Sequence, residues 1–204
     1  MPPYFRCIPP TSQTHAKPTE KTPALSMSER MNTAWLTTAL ASGPWQTWLT
    51  DHGSLTRRLQ AACPAFRVQR TQQTHARPHY DEIAALGLHA RQRALIREVL
   101  LCCGATPLVF AHTAIPLHAL IGPWAGLAHL GNRPLGAALF ANPRIARHPL
   151  ECRRLDARHP LYRHAARHLN APPARLWARR SRFTLHGYSI LVTEVFLPAI
   201  LNLP

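Results

Sequence analysis

Leu176 to Pro198 reads LWARRSRFTLHGYSILVTEVFLP. A basic knot, Arg179, Arg180 and Arg182, leads into a strand; His186-Gly187 makes a turn, and YSILVTEVFLP returns as a second strand. The stretch predicts a β-hairpin that closes the chain. Side chains alternate between faces along a strand, which sets Glu194 on the face of Ile190, Val192 and Phe196. Acids are scarce here, 9 Asp and Glu against 24 Lys and Arg. A carboxylate buried without a partner is costly, so Glu194 calls for a cation, a donor or a ligand hydroxyl. That demand marks a candidate site.

Working outward, Leu95 to Cys103 (LIREVLLCC) predicts another strand, with Arg97 the lone charge on the face of Leu95, Val99 and Leu101. Gly104 to Pro107 turns the chain and Leu108 to Ile115 returns it, making a second hairpin. Phe66 to Thr74 alternates weakly and predicts a first strand. Met31 to Leu49 sets Trp35, Leu36, Leu40, Trp45, Trp48 and Leu49 around a Gly43-Pro44 break, as two short amphipathic helices would. Ser54 to Leu59 reads as a capped turn opening another helix. Pro78 to Ala94 is polar loop and helix carrying Asp81 and Glu82, and Leu117 to Leu130 is helix interrupted at Gly122-Pro123. Arg133 to Gly136 turns into the short run Ala137 to Phe140. Arg144 to Arg175 is dense in Arg and His, and its middle predicts a surface helix. Hairpin strands with helices grouped before them imply an α+β fold on an antiparallel sheet. No internal repeat and no βαβ alternation is visible.

At 204 residues and 46% hydrophobic content the chain fits one globular domain with a sizeable core. Residues 1–30 stand apart from a domain over 31–204. They are Pro-rich, lack an apolar h-region, and read as a disordered tail rather than a secretory signal, with Met27 and Met31 as alternative starts. The 5 cysteines include no CxxC pair, and adjacent Cys102 and Cys103 point to opposite faces of a strand. Reduced thiols packed as small hydrophobes in a cytoplasmic protein are expected. Leu108 to Leu130 is apolar, but histidines, prolines and glycines break it, so a buried strand, a turn and a short helix are expected in place of a membrane span. The net charge of +15 favours anionic partners such as nucleic acid, anionic lipid or a small acidic metabolite. Genomic base bias toward Arg accounts for part of it.

Arg97 and Glu194 would face one site if their strands share a sheet. Arg offers a planar fork for a carboxylate, and Glu accepts from a hydroxyl or takes a proton. The pattern by itself slightly favours a plainer arrangement, a buried ion pair between the two or strand ends that reach solvent. Arg179-Arg180-Ser181-Arg182 suits phosphate or nucleic acid, but a solvated loop before a strand is the commoner role, and no RNP-like motif accompanies it. His164 and His168 have a spacing that suits a metal. Arg158, Arg163 and Arg167 crowd the same segment, so a solvated basic helix is the better reading of His159, His164 and His168. Serine-hydrolase, dinucleotide-binding and Walker patterns are missing.

In several blocks the chain resembles the chorismate lyase family. They are GSLTRRL at Gly53 to Leu59, LIREVLLC at Leu95 to Cys102, RPLGAALF at Arg133 to Phe140, LWARRSRF at Leu176 to Phe183 and LVTEVFLP at Leu191 to Pro198. Order and spacing agree from about Trp45 to Pro198, and the last two blocks together are the most specific. The resemblance implies a six-stranded antiparallel sheet with helices over a closed site. It implies conversion of chorismate to 4-hydroxybenzoate and pyruvate at the head of ubiquinone biosynthesis, with no cofactor and no metal.

By motif, the resemblance makes Arg97 and Glu194 the catalytic pair. Arg97 and the backbone N–H of Leu135 would bind the ring carboxylate, Glu194 would hydrogen-bond the ring hydroxyl, and Leu55 would contact ligand from a lid. Some members carry Arg where this chain has His112, so His112 would serve the enolpyruvyl carboxylate only when protonated or through a hydrogen bond. Arg144 to Arg175 is longer than in compact members and reads as a surface insertion. A cytoplasmic monomer is expected, with chorismate as its partner and neither nucleic acid nor stable membrane insertion. A non-catalytic small-molecule-sensing domain of the same fold is the second reading. Such domains follow a DNA-binding helix-turn-helix, for which roughly thirty residues are too few. A basic nucleic-acid binder is the third, resting on charge alone.

Overall fold

Both expected hairpins form, and they lie side by side. The computed structural model describes residues 34–39 and 41–204. Its strands are β1 (Phe66–Ala76), β2 (Ala94–Cys103), β3 (Thr106–Pro116), β4 (Ala146–Arg147), β5 (Glu151–Leu155), β6 (Leu176–Leu185) and β7 (Tyr188–Phe196). They make one sheet in the order β1-β2-β3-β7-β6-β4, with β5 also on β6, and every pairing is antiparallel. The helices are α1 (Gln46–Leu49), α2 (Leu55–Ala62), α3 (Tyr80–Leu86), α4 (Leu117–Leu120), α5 (Leu135–Ala141) and α6 (Pro160–Ala166). The fold is α+β on an antiparallel sheet, as the hairpins implied.

The turn between β6 and β7 is His186-Gly187, both at positive φ (49° and 83°). Two consecutive positive φ values give the turn whose twist matches the flanking strands, and glycine takes the second without a Cβ penalty. The β2–β3 turn is Gly104-Ala105, but its register slips directly after it. Cys102 pairs with Pro107 while Leu101 pairs with Val109, so Leu108 is an extra residue on β3. β2 is buried along almost its whole length on both faces, as a central strand covered on two sides must be.

One face of the sheet carries two apolar clusters. Trp48, Leu49, Leu59, Phe196 and Ile200 join α1, α2 and the Pro198–Asn202 turn to one end. Ile115, Trp124, Leu135, Phe183 and Ile190 join α4, the Ala125–His129 turn and α5 to the other. On the opposite face α6 packs Leu161 and Ala165 against Leu100, Phe110 and Val195. α2 opens as read: Ser54 accepts from the Arg57 N–H.

Four expectations need correction or fall outside view. The tail over residues 1–30 and its alternative starts lie outside the described residues. Of the two helices expected over Met31 to Leu49, only the 3₁₀ turn Gly43–Trp45 running into α1 is seen; Leu36 is extended and pairs with Cys152 in an antiparallel bridge. Arg144 to Arg175 is not a surface insertion. It supplies β4 and β5, which complete an edge of the sheet, and α6, whose Leu161, Tyr162 and Ala165 are buried. Finally, the cysteines are not all reduced. β1 sets Phe66 opposite Cys103, which carries the C-cap of α2 over the hairpin end, and Cys63 and Cys103 are bonded with Cα atoms 5.9 Å apart. Cys102 and Cys152 are free and buried. Among the described residues no helix is long and apolar enough to cross a membrane. Leu108 to Leu130 is divided among β3, α4 and the Ala125–His129 turn.

Candidate active site

Register builds the floor of a cavity from two neighbouring rows of side chains. Arg97 on β2 pairs with Thr113 on β3, Thr113 with Val192 on β7, and Val192 with Ser181 on β6. The next row is Val99, Ala111, Glu194 and Arg179. All eight face the same cavity. Its roof comes from the start of α2 (Gly53, Leu55, Thr56) and of α5 (Pro134, Leu135, Gly136), with Phe140, Phe183 and Arg147 closing the side.

Glu194 has its cation, and it is not Arg97. Arg179, one strand away, donates from Nε to Glu194 Oε2 at 2.6 Å. Arg179 is 1% exposed and also donates from Nη1 to the carbonyls of Trp48 and Asp51, both at 2.7 Å. Oε2 is thereby occupied, which leaves Oε1 to accept from a ligand hydroxyl. Arg97 and Glu194 are not an ion pair, because β3 runs between them. Two strand spacings across and two residues along hold them about 12 Å apart at the backbone.

Arg97 is 2% exposed. Its Nη2 donates to the carbonyls of Gly131 and Arg133, at 3.0 and 2.9 Å, which fixes the loop leading into α5. Its Nε is buried and lacks a partner. Burial first, and then the Arg70 guanidinium, lower the Arg97 pKa from its ordinary value. Both effects make a bound anion favourable beside it. Leu135 opens α5, where a backbone N–H has no partner within the helix.

Arg147, on the two-residue strand β4, is the cavity residue that sequence reading missed. It donates from Nε to Ser181 Oγ at 3.1 Å and from Nη1 to the carbonyl of His52. Burial, followed by Arg179, lowers its pKa, while Glu194 and Asp51 oppose that shift. Among the charged cavity residues, Arg97, Arg147 and Arg179 face the single carboxylate of Glu194, leaving two positive charges unbalanced.

The basic knot is divided by the pleat. Arg180 points to the other face and donates to Glu151 Oε2 at 2.6 Å, and Arg182 meets His148 at 3.1 Å. It is therefore no continuous basic patch. His112, expected at the cavity, also lies on the other face, paired in register with Glu98. Its Nε2 is 3.0 Å from Glu82 and its Nδ1 3.1 Å from Glu98. Burial lowers its pKa, but the two carboxylates outweigh burial and push it up to about 10. It makes no contribution to the cavity wall. His159 and His164 are not a solvated face either. His159 is buried, and His164 Nδ1 lies 2.8 Å from Glu98 Oε1.

Residues 30–202 match the family model described as Chorismate lyase. The chain belongs to the chorismate lyase family. A "Probable chorismate pyruvate-lyase" from Nitrosospira multiformis is 50% identical over 76% of this chain and 87% of its own length. Another of that name from Aromatoleum aromaticum is 52% identical over 77% and 86%. Solved structures share the fold at low identity. A GntR-family transcriptional regulator from Bacillus cereus superposes with TM-score 0.50 at 12% identity, over 66% of this chain and 92% of its own. The effector domain of PhnF from Mycobacterium smegmatis does so with TM-score 0.50 at 14% identity, over 72% and 89%.

Of the five positions that the chorismate lyase resemblance marks, Leu55, Arg97, Leu135 and Glu194 meet at the one cavity and His112 does not. The two roof helices touch closely. A Cβ added at Gly136 would meet Thr56 Oγ1 at 2.9 Å and Ser54 Oγ at 3.3 Å. Gly136→Ala therefore makes the Thr56 and Ser54 side chains shift where α2 and α5 meet over the cavity. Such overpacking costs about 1–3 kcal/mol, and a displaced binding wall is expected to lower kcat/KM about tenfold. Thermal melts and steady-state kinetics on the variant measure the two effects separately.

Proposed function

We propose that the protein is a lyase that converts chorismate to 4-hydroxybenzoate and pyruvate, the entry reaction of ubiquinone biosynthesis. The observation that carries this reading is the charge of the cavity: three guanidiniums against one carboxylate, in an otherwise apolar and small-polar enclosure. Two unbalanced positive charges suit a small dianion with a ring between its charged ends, and chorismate is a dicarboxylate of that shape.

In this reading Arg97 Nε and the Leu135 N–H hold the ring carboxylate. Across β3, Glu194 Oε1 accepts from the ring hydroxyl, with Arg179 fixing the carboxylate from its other oxygen. Arg147 and Arg179 lie on the side left for the enolpyruvyl group, the task that His112 cannot perform from the opposite face. The hydroxyl-bearing ring carbon loses its proton, the bond from the neighbouring carbon to the enolpyruvyl oxygen breaks, and the ring becomes aromatic. Enolpyruvate leaves and takes a proton on its methylene carbon to become pyruvate. Aromatisation drives the reaction, so the residues contribute chiefly positioning and stabilisation of the departing negative charge. Glu194, which in this reading holds the hydroxyl of that same carbon, is the group proposed to receive the proton.

The test is to add chorismate to the purified protein and follow 4-hydroxybenzoate absorbance, with pyruvate measured by a coupled dehydrogenase. Equal amounts of both products are expected. A folded protein that binds chorismate and forms neither product would be a sensor of the same fold.

A further inference from the structure

The back of the sheet holds a second cluster of ionisable groups that the reaction does not use. α3 lies there, with His79 as its N-cap and Glu82 one turn in, above His112 of β3. Glu82 is 1% exposed and so is His112. We propose that His79, Glu82 and His112 form a divalent-cation site of zinc type that clamps α3 to the sheet.

Geometry supports the assignment first. One nitrogen from each histidine and one oxygen of Glu82 lie within 4.8 Å of one another. Ligand atoms about 2.0–2.2 Å from a tetrahedral zinc stand a little over 3 Å from each other, so small rotations of these side chains reach that arrangement. The hydrogen bonds agree. Glu82 Oε2 accepts from the His79 backbone N–H at 2.9 Å, which aims Oε1 away toward the histidines. His79 Nε2, Glu82 Oε1 and His112 Nε2 are all buried and form no hydrogen bond. His112 Nε2 and Glu82 Oε1 lie 3.0 Å apart as an ion pair, and a cation between the histidines would take the place of that contact. One unpartnered buried nitrogen, His79 Nε2, beside a buried His112 Nε2–Glu82 Oε1 pair whose two atoms meet only each other, is an arrangement that a cation would satisfy.

The surroundings complete the pattern. His112 Nδ1 is 3.1 Å from Glu98 Oε1, and that oxygen is 2.8 Å from His164 Nδ1. A carboxylate on the outer nitrogen of a ligating histidine fixes the ring and strengthens it as a donor. Glu82 and Glu98 bring two negative charges into a buried place, and one divalent cation balances both. Half-buried His79 provides the route of entry, and water takes the remaining coordination position.

Zinc chloride titrated calorimetrically into the metal-free full chain tests the site. One zinc per chain in the micromolar range or tighter is expected, with a raised melting temperature. His79→Asn keeps both buried carboxylates and His112 and should weaken binding at least tenfold, with circular dichroism confirming the fold. His118→Asn, on a different part of the surface, should leave binding unchanged. No stoichiometric binding to the folded protein would overturn the proposal, as would equal binding by His79→Asn. The cluster would then be an imidazolium of His112 shared by two carboxylates.

Discussion

Replacing Arg97 with alanine is expected to lower kcat/KM for chorismate about a thousandfold with the fold intact. Truncating one member of a buried, hydrogen-bonded charge pair costs about 2–5 kcal/mol, and each 1.4 kcal/mol is a factor of ten. The upper part of that range applies because the buried Nε has no protein partner and a ligand carboxylate is what it would meet. A second loss compounds the first. Arg97 Nη2 holds the carbonyls of Gly131 and Arg133, so its removal also loosens the loop that presents the Leu135 N–H. Arg97→Lys restores the charge but not the fork, and should recover only part of the activity. Product release followed by absorbance, with circular dichroism on each variant, decides the matter. Near-normal activity in folded Arg97→Ala would remove the carboxylate-anchor role.

The second large effect is at Glu194. Glu194→Ala should lower kcat by a factor of about 100 to 10,000, the usual range for a positioned acid–base group. It also leaves the Arg179 guanidinium without its carboxylate in a nearly closed cavity, so the melting temperature should fall. Glu194→Gln separates the two tasks of this side chain. The amide oxygen still accepts from Arg179 and its NH2 can donate to the ring hydroxyl oxygen, but it does not take a proton. Loss in the glutamine variant comparable to that in alanine identifies proton transfer. A glutamine variant close to wild type restricts Glu194 to holding the hydroxyl.

Much of this was legible in the chain because strands announce themselves by alternation. Arg97 and Glu194 each broke an apolar face, and both hairpins carried recognisable turns. Arg147 was hidden, since its strand is two residues long and lies in a segment whose Arg and His content resembles a solvated surface. The role of Arg179 was hidden by its neighbours. Only the pleat of β6 separates it from Arg180 and turns it toward Glu194.

His112 was expected at the cavity because some family members carry Arg there, and the register shows why it does not reach it. An uninterrupted ladder from the Gly104-Ala105 turn would set His112 opposite Arg97. The extra residue Leu108 moves β3 by one, so His112 meets Glu98 and Thr113 meets Arg97. No local signal in PLVFAHT reveals such a bulge. The Cys63–Cys103 bond was missed because the two cysteines are 40 residues apart and meet only once β1 pairs with β2, Phe66 opposite Cys103.

The two ends of α2 are fastened by different means. Its C-cap, Cys63, is joined covalently to the end of β2. The residues before its first turn are held by non-covalent contacts, hydrogen bonds from Arg147 to the carbonyls of His52 and Gly53 and from Arg179 to that of Asp51, and the Arg58–Asp51 ion pair. A covalent tie at Cys63 and breakable hydrogen bonds near Gly53 make the Gly53 end the easier one to release. That end lies beside Arg147 and Arg179, two of the three guanidiniums of the cavity. A carboxylate bound there would compete for the same N–H groups that hold the carbonyls of His52, Gly53 and Asp51.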